Sequence, residues 1–414
     1  MQSEQQKGGS RWASTGSWGR DDSGENPEGS HLTTVEKGEL RELFLLFTKL
    51  GFVAFGGPAA HVAMMRQEVV TRRGWMDDQE FLDLNGATNL IPGPNSTELA
   101  IHIGRERAGL PGLLVAGTCF IVPATLIVLA FAIAYKAYGS TPAGQSLLYG
   151  ITPVVVAIVV QVLWGLLKTA VKGALTAAVG AGALLLYLFA GVPEIPLLFG
   201  AALLVFAAEN ARRWWGRVAA MAPLGIPLGL LATVKAPAMG GILSIFWSFL
   251  KIGSVLFGSG YVLLAFLRSE FVGPGMLTGR QLLDAVAVGQ VTPGPVFTTA
   301  TFIGYLLGGL PGAVVATIGI FLPAFVFVAL TGPFVSTLRS SPVLSSLLDG
   351  VNVASLALMA GVTLQLARET VLDPIAALVG VVALVLLLRF NINSVWLVIA
   401  GGVVGLAVQV LSSS

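Results

Sequence analysis

The sequence predicts an all-α integral membrane protein with two homologous repeats, each built from broken or re-entrant helices and several transmembrane helices. Of its 414 residues, 55% are hydrophobic and only 11% are charged, whereas ordinary soluble domains carry about 25% charged residues. A second observation is a set of motifs that occurs twice in the same order along the chain. A third is a Pro-Gly-Pro triplet inside an apolar region of each half, which predicts a break in a helix.

Duplication is indicated by motifs whose separation stays nearly constant along the chain. Lysines, Pro-Gly-Pro triplets and Gly-Leu-Pro-Gly motifs recur at offsets of 202, 201 and 200 residues: Lys49 and Lys251 (251 − 49), Pro92 and Pro293 (293 − 92), and 109–112 and 309–312 (309 − 109). Small insertions or deletions within a preserved order are the signature of a duplication. The excess of basic residues that marks one side of a membrane protein is clear in the first half and weak in the second. We therefore expect the second copy to be inverted.

The apolar runs and the polar stretches between them divide the chain into four parts. Residues 1–39 are polar and have no apolar core, so we interpret them as a disordered leader and not as a signal peptide. Residues 40–217 form the first membrane repeat, 218–240 a linker, and 241–414 the second membrane repeat. In each repeat the broken segments come first and four longer apolar runs follow, most of which reach the ~20 residues that a span requires.

The Pro-Gly-Pro triplets, 92–94 and 293–295, are the features around which each repeat is organised. Proline removes a backbone donor and pushes the preceding residue out of the α region, so the helix before the first triplet must stop at Leu90 or Ile91. A half-helix is expected to begin directly after each triplet, and in the first repeat its side-chain caps would be Asn95, Ser96 and Thr97. Matching breaks in two halves of a membrane protein indicate a transport site.

This combination of motifs resembles the chromate ion transporter family in its long, two-domain form. The resemblance rests on Phe-Gly-Gly-Pro at 55–58 after a lysine-bearing helix, the two Pro-Gly-Pro triplets, Gly-Leu-Pro-Gly and the duplication, and it covers about 40–410. It implies a multi-pass carrier of the bacterial inner (plasma) membrane that exports chromate, with sulfate as competitor or counter-substrate, driven by the proton gradient. The two halves differ where Asn95-Ser96-Thr97-Glu98 becomes Val296-Phe297-Thr298-Thr299, so each half is expected to have its own role.

Helix N-termini and glycine-rich backbone are the features expected to bind a tetrahedral dianion such as chromate or sulfate. Unsatisfied N–H groups and the positive end of the helix dipole favour anions, and glycine lets the backbone approach closely. The candidate binding residues lie at the breaks and in the helices before them: Lys49, Gly56, Gly57, Pro92, Gly93, Pro94, Asn95, Ser96, Thr97, Lys251, Gly258, Ser259, Gly260, Pro293, Gly294, Pro295, Thr298 and Thr299. The alternative is that proline and glycine only kink tightly packed helices.

Charged residues at matching positions of the two halves are further candidates. Lys49 and Lys251 lie within apolar runs, where they would either serve the anion or extend to the membrane surface. Two further pairs would either gate the pathway or mark the edges of loops: Arg66 with Glu68, and Arg268 with Glu270.

Glu98, one turn into the first half-helix, is the candidate for proton coupling. A carboxylate beside an anion site repels the substrate when ionised and permits its binding when protonated. The alternative is that Glu98 caps its own helix, where negative charge is stabilised. His61 and His102 are also proton-carrier candidates, although a single histidine in a helix is more often a packed structural residue.

A secondary carrier of chromate is favoured over a passive anion channel or a carrier for another anion, and over a membrane-embedded enzyme. The chain has one cysteine and three histidines without clustering, and it has no Walker-type motif, so neither a metal site, a cofactor nor ATP-driven pumping is predicted. The formal net charge of +2 is nearly balanced and indicates no nucleic-acid partner. The expected partners are therefore chromate or sulfate, protons and the lipid bilayer, and a homodimer is left open.

Overall fold

The computed structural model describes residues 37–55, 57–89, 91–214, 241–256, 263–331, 342–370, 373–390 and 392–413. Within these ranges the chain forms helices and no strand, which confirms the predicted all-α class. The first repeat contributes seven helices: α1 (Lys37–Val53), α2 (Gly57–Arg66), α3 (Asp78–Thr88), α4 (Asn95–Tyr138), α5 (Pro142–Ala170), α6 (Ala174–Ala190) and α7 (Glu194–Trp214).

The second repeat contributes the same series of helices in the same order. They are α8 (Ile242–Val255), α9 (Leu263–Leu267), α10 (Gly279–Val291), α11 (Thr299–Thr331), α12 (Pro342–Thr370), α13 (Pro374–Phe390) and α14 (Ser394–Ser413). Both α2 and α9 continue into a π-helical turn, and a 3-10 turn, Val296–Thr298, precedes α11. Five described helical segments, including α5 and α12, are long and apolar enough to cross a membrane.

The predicted boundaries of the membrane repeats need one adjustment. The first helix begins at Lys37, inside the stretch 1–39 that was expected to be leader, while residues 1–36 lie outside the described part of the chain. The linker 218–240 lies outside it as well.

The helix that follows each Pro-Gly-Pro triplet is folded back on itself. In α4 the backbone leaves helical geometry at Ala108 and Gly109, where Gly109 has a φ of 59°. A Cβ atom added at Gly104 would collide with the carbonyl of Gly112, although eight residues of straight helix would separate them by about 12 Å. The segment α4 is therefore a half-helix (95–107), a tight turn at the predicted Gly-Leu-Pro-Gly motif, and a long arm (110–138) that runs in the opposite direction.

The equivalent helix of the second repeat, α11, has the same reversal. Gly309 has a φ of 60°, and the hydroxyl oxygens of Thr301 and Thr317 lie 2.8 Å apart. A straight helix would separate these two threonines by about 24 Å. The half-helix of α11 (299–307) thus packs against its own long arm (310–331).

Contacts around Arg107 show that the first segments of the chain enter and leave the bundle at the same end. The Arg107 guanidinium, at the end of the α4 half-helix, pairs with Glu39 near the start of α1 at 3.4 Å. It also lies 5.3 Å from the ring centre of Trp75, in the loop between α2 and α3. This end of the bundle is termed the first end, and the long arm of α4 crosses from it to the second end at Tyr138. The breaks therefore lie in re-entrant segments, as predicted.

Contacts between equivalent helices show that the two repeats are antiparallel, which agrees with the predicted inversion. Lys172, just after α5, pairs with Asp349 near the start of α12 at 2.6 Å, so these equivalent helices run in opposite directions. The Arg105 guanidinium, near the end of the α4 half-helix, donates hydrogen bonds to the carbonyls of Val328 and Ala329. The long arm of α11 thus finishes at the first end, whereas that of α4 finishes at the second.

Glycines allow the helix before each break to approach a long arm closely. In the first repeat Gly51 of α1 packs against the backbone carbonyls of Cys119 and Phe120 in α4. In the second repeat Gly253 of α8 packs in the same way against the carbonyl of Ile320 in α11. Small residues at such crossings are characteristic of membrane helices. The same packing thus positions the breaks in both repeats.

Candidate functional site

The helix breaks meet inside the bundle in two pairs, and each pair joins the two repeats. The amide N–H of Gly93 donates to the carbonyl of Leu256, just after α8, at 2.7 Å. The amide N–H of Gly294 donates to the carbonyl of Ala54, just after α1, at 2.9 Å. Ala54 and Leu256 are equivalent positions, so the two bonds are related by the internal symmetry. These backbone donors hold the repeats together and are not available to a ligand. The segments 54–55, 91–94, 256 and 292–295 are termed the break region.

The first half-helix begins directly after its triplet, as predicted, whereas in the second a 3-10 turn, Val296–Thr298, comes first and the α-helix begins at Thr299. The cap of the first half-helix differs from the prediction. The N-cap of α4 is Pro94, which makes no side-chain cap, and Asn95 is the first helical residue. The side-chain amide of Asn95 instead donates to the Asn89 side-chain oxygen at 2.7 Å and so bridges the break. The amides of Thr97 and Glu98 both donate to the Pro94 carbonyl, at 2.8 and 3.0 Å. The N–H groups of the first two helical residues precede any acceptor within the helix.

Buried polar atoms without a hydrogen-bond partner cluster on the α4 half-helix. Both carboxyl oxygens of Glu98, the Thr97 hydroxyl and both ring nitrogens of His102 are buried and have no partner in the described part of the chain. Glu98 is fully buried, and its carboxyl folds back so closely over Gly93 that a Cβ there would collide with it. Buried polar groups are almost always hydrogen-bonded. Such a cluster next to a helix N-terminus is therefore the strongest candidate for a functional site in the molecule.

The second half-helix has no such cluster among its described residues. The Thr298 hydroxyl donates to the Pro295 carbonyl and the Thr299 hydroxyl donates to the Val296 carbonyl, both at 2.8 Å. These two hydroxyls were predicted to donate to an anion, but in this structure the backbone already accepts their hydrogen bonds. The position equivalent to His102, at the offset of 200 that the Gly-Leu-Pro-Gly motif sets, is Phe302, which is apolar and buried.

The two lysines at matching positions form matching ion pairs. Lys49 pairs with Glu68 at 2.9 Å, and Lys251 pairs with Glu270, which also accepts a hydrogen bond from the Ser248 hydroxyl at 2.8 Å. The sequence suggested that these lysines serve the anion or extend to the surface. The Lys49 side chain is 53% exposed, so it is directed away from the buried Glu98 cluster.

The arginines and glutamates expected to form gating pairs do not pair with each other. Arg66 binds Asp78 at 2.7 Å, and Arg268 binds Glu369 at 2.6 Å. Residues two apart on a helical turn face different directions, so the members of each pair bind other partners. Whether these residues gate the pathway or mark the edges of loops stays a prediction.

Glu68 lies close to two arginines in addition to its partner Lys49. Arg72 lies 2.8 Å and Arg73 lies 3.5 Å from its carboxylate oxygens. Burial alone would raise the pKa of Glu68, but Lys49 and the two arginines outweigh it and hold the pKa below its ordinary value. Glu68 therefore stays ionised at neutral pH and anchors the α2–α3 loop at the first end.

Several predicted glycine positions lie outside the described residues: Gly56, Gly258, Ser259 and Gly260. Gly57 is the first residue of α2 and has a φ of 79°, a conformation that favours glycine. His61, a proton-carrier candidate, is buried and its Nε2 lies 2.9 Å from the Ala54 carbonyl, while its ring packs on Phe120. This histidine fits the structural alternative, because it holds α2 against the break.

Within the described ranges no group of three or more histidine, cysteine or acidic side chains is arranged to bind a metal ion.

One buried acid that the motifs did not single out is Asp284 in α10. Its equivalent in α3 is Asp83, at the same offset of 201 residues as the triplets, and this repetition was the available signal.

Comparison with known proteins gives the same division of the chain into two copies. The family model described as chromate transporter matches twice, over residues 41–206 and 243–406. The chromate transport protein of Cupriavidus metallidurans is 33% identical over 376 residues, which cover 87% of this chain and 91% of that relative. No solved structure matches the chain.

Two further relatives carry similar names. The probable chromate transport protein of Synechococcus elongatus is 32% identical and aligns with 84% of this chain and 89% of its own length. The chromate transport protein of Pseudomonas aeruginosa is 33% identical, with coverage of 80% and 81%. A double match of the family model to most of the chain, with repeats that coincide with the two series of helices, establishes the relationship. The chain is a multi-pass membrane protein that belongs to the chromate transporter family.

Proposed function

We propose that this protein is a secondary transporter that exports chromate across the bacterial inner membrane, driven by the proton gradient, with sulfate as a competing anion. The names and coverage of the relatives support chromate as the substrate. Chromate and sulfate are both tetrahedral dianions, so a site that binds one by charge and hydrogen bonds also admits the other. The absence of a nucleotide-binding motif from the sequence favours a secondary carrier.

The anion is proposed to bind at the N-terminus of the α4 half-helix, with the equivalent end of the second repeat facing the same break region. The N–H groups of Asn95 and Ser96 have no acceptor within the helix, and the helix dipole adds positive potential there. Two N–H groups and a dipole stabilise a dianion without a fixed countercharge. Such a site releases its substrate more readily than a site with a buried lysine or arginine, which suits a carrier.

The observation that carries the proposal is the Glu98 carboxyl, buried without a partner over Gly93. When ionised, Glu98 is itself an anion at the N-terminal end of the half-helix, so it competes with the substrate for the same potential. When protonated, it no longer repels the dianion. Protonation of Glu98 thus favours binding of the anion at the same place. This linkage alone moves the proton and the anion in the same direction, so export driven by proton entry requires a further step in which protons return without the anion.

The inverted repeats supply the geometry for alternating access. Inverted repeats that meet around broken helices commonly rock against each other and expose a central site to either side in turn. The hydrogen bonds of Gly93 to Leu256 and of Gly294 to Ala54 provide two symmetrical contacts about which such a movement takes place. In this scheme Lys49 with Glu68, and Lys251 with Glu270, are gating pairs at opposite ends, in place of direct anion ligands.

Transport in proteoliposomes tests the coupling directly. Labelled chromate is supplied to vesicles with and without an imposed pH gradient, while potassium and valinomycin hold the membrane potential at zero. The proposal expects chromate to accumulate against its gradient only when the pH gradient is present, and unlabelled sulfate to reduce the accumulation. Flux that only equilibrates contradicts the proposal in favour of a passive pore. No chromate flux in active, folded protein removes the substrate assignment.

A binding measurement tests the half-helix site separately from transport. Replacement of Asn95 and Thr298 by alanine removes one hydrogen bond that orders each break, at a cost of about 1 kcal/mol each. The double variant is therefore expected to fold but to bind chromate more weakly. Isothermal titration in detergent compares it with the wild-type protein. Equal affinities contradict a site whose backbone N–H groups are held in place by the Asn95 and Thr298 side chains.

A further inference from the structure

A cavity at the second end of the bundle contains an acid that the proposed anion site does not use. The cavity has a volume of about 340 Å³ and lies between the second end of α4, the start of α5, α10 and α14. This volume is in the lower part of the range for small-molecule pockets. The side chains that line it are apolar except for Tyr135, Tyr138, Asp284 and Thr292.

The Asp284 carboxyl is only half satisfied by hydrogen bonds. The residue is 2% exposed, and its Oδ2 accepts a hydrogen bond from the Tyr135 hydroxyl at 2.9 Å. Its Oδ1 is buried and has no partner in the part of the chain that the structure describes. A buried ionised carboxylate needs a positive partner or several donors, and a neutral acid does not. Asp284 therefore meets the structural condition for a group that holds a proton.

None of the charged groups described around Asp284 forms an ion pair with it, so the charge of this site depends on whether Asp284 carries a proton. Arg280, one turn earlier on the same helix, donates to the Gln145 carbonyl at 3.3 Å. From α4 the facing ionisable groups are the Tyr135 and Tyr138 hydroxyls, and the lining residues of α5 and α14 are not ionisable. Glu369 of α12 lies against Gly279, at the start of α10. Among these groups no lysine or arginine pairs with Asp284.

Each repeat contains, within its described part, one buried acid with a carboxyl oxygen that has no hydrogen-bond partner. Among the described residues only Glu98 and Asp284 have such a carboxyl oxygen. Glu98 lies on the half-helix after the break of the first repeat, where the second repeat has Thr299. Asp284 lies on the helix before the break of the second repeat, and its equivalent, Asp83, is only half-buried and accepts a hydrogen bond from the Gln79 side chain at 2.8 Å.

Tyr135 connects Asp284 to the second half-helix. Its ring packs edge-on against Phe302, with ring centres 5.2 Å apart, and Phe302 follows Thr299 by about one turn of α11. Tyr135 belongs to the first repeat, whereas Asp284 and Phe302 belong to the second. A change of proton on Asp284 alters the hydrogen bond that Tyr135 makes, and Tyr135 is a contact between the two repeats, which move relative to each other in the proposed cycle.

From this arrangement we infer that Asp284 is a second proton-binding site of the transport cycle, located in the second repeat and separate from the anion site, with Tyr135 as its positioning residue. This inference rests on the proposed function for its role in transport. Protonated Asp284 occupies the apolar cavity without a charge, and loss of the proton leaves a buried carboxylate whose one hydrogen-bond donor among the described residues is the Tyr135 hydroxyl. The cycle would then carry one proton-binding carboxyl in each repeat.

Chemical labelling tests the protonation of Asp284 without any transport. Dicyclohexylcarbodiimide, an apolar reagent, adds to a protonated carboxyl: the carboxyl oxygen bonds to the central carbon and the proton moves to a nitrogen, so nothing leaves. Purified wild-type protein is labelled over a series of pH values, and mass spectrometry of peptides locates the adduct. We expect an adduct on Asp284 that decreases as the pH rises and is absent from Asp284→Asn. If Asp284 is unlabelled at every pH in protein that the reagent labels after denaturation, the inference is wrong.

Transport by matched variants tests the role of that proton. Asp284→Asn retains an oxygen that accepts the Tyr135 hydrogen bond but cannot take up a proton, so we expect accumulation driven by a pH gradient to be lost while chromate-for-chromate exchange remains. Asp83→Asn, at the equivalent position, is expected to keep both activities. Gradient-driven accumulation by Asp284→Asn equal to wild type overturns the inference. If wild-type protein transports no chromate, the proposed function fails, and the labelling result still decides whether Asp284 holds a proton.

Discussion

The two Pro-Gly-Pro breaks have nearly the same backbone and very different side chains. At both breaks the central glycine has a positive φ, 146° at Gly93 and 86° at Gly294. At both, the amide N–H of that glycine donates to a carbonyl of the other repeat. The backbone therefore follows the internal symmetry closely, and it places two half-helices in equivalent positions.

The side chains that follow the breaks do not keep this symmetry. Glu98 of the first repeat corresponds to Thr299 of the second, and its carboxyl has no partner, whereas the threonine hydroxyl bonds its own helix. His102 corresponds to Phe302. The first copy thus has buried polar groups without partners where the second is apolar or internally hydrogen-bonded. In the proposed function, the symmetrical backbone allows the movement and the first break supplies most of the chemistry.

The largest effect is expected from alanine at the central glycines, because it disturbs the positive-φ backbone that the two breaks have in common. A Cβ at Gly294 would lie 2.6 Å from the Ala124 Cβ and 3.4 Å from the Gly51 carbonyl oxygen, and its positive φ adds strain of about 1–3 kcal/mol. We expect Gly294→Ala to lose most folded protein and all transport. Size-exclusion chromatography and thermal unfolding in detergent measure the loss.

Gly93→Ala is the matched variant, and its clash is of a different kind. The Cβ would collide with the end of the Glu98 side chain. This side chain is flexible, and a mutation that shortens it removes the collision. We therefore expect Gly93→Ala to be milder than Gly294→Ala, and Glu98→Ala to restore part of its folded yield. Equal loss in both glycine variants, with no rescue, would show that the contact between Gly93 and Glu98 does not matter.

The next largest effect is expected at Glu98, the buried carboxyl that the first break has and the second lacks. Glu98→Gln keeps the size of the side chain and removes its titration, so we expect chromate flux that no longer depends on pH, while exchange of one anion for another continues. Thr299→Val, at the equivalent position, removes only a hydroxyl that bonds its own helix and is expected to leave the pH profile unchanged. The profile of flux in proteoliposomes between about pH 5 and pH 8 distinguishes the variants.

An unchanged pH profile in Glu98→Gln would exclude Glu98 as a coupling group. If Asp284→Asn then removed the pH dependence alone, the proton would be carried by the second repeat only, and the functional division between the two breaks would be reversed.

The backbone of this fold was largely predictable from the sequence because its causes are local. Proline and glycine at the triplets end one helix and start the next whatever surrounds them, and the repetition of Lys49 as Lys251 revealed the duplication. The positions of both half-helices and the antiparallel repeats agree with these predictions.

Contacts between side chains were less predictable because they depend on how distant segments pack. The partner of Arg66 is Asp78 and not Glu68, and the partner of Arg268, Glu369, is about a hundred residues away. Asn95 was expected to cap a helix but bridges the break to Asn89 instead. Asp284 became a candidate only when its hydrogen bond to Tyr135 placed it in a cavity between the repeats.

The smallest expected effect compares the two glutamates that pair with the matching lysines. Glu68 is surrounded by Lys49, Arg72 and Arg73, whereas Glu270 has Lys251 and the Ser248 hydroxyl. We expect Glu68→Gln to lower the free energy of unfolding by about 1 kcal/mol at neutral pH, and Glu270→Gln to lower it by less. Thermal unfolding of each variant in detergent provides the comparison.

The pH dependence of that difference gives the sharper test. The neighbouring cations outweigh burial and hold the pKa of Glu68 below its ordinary value of 4.5. A group with a lowered pKa in the folded state contributes its full stabilisation above the ordinary pKa, and the contribution is lost as the pH falls through the folded-state pKa. The gap in stability between wild type and Glu68→Gln should therefore be constant above about pH 6 and narrow progressively below about pH 4. A gap that stays constant or widens on acidification would mean that the three cations do not stabilise the Glu68 carboxylate, and the first end of the bundle would then be no better anchored than the second.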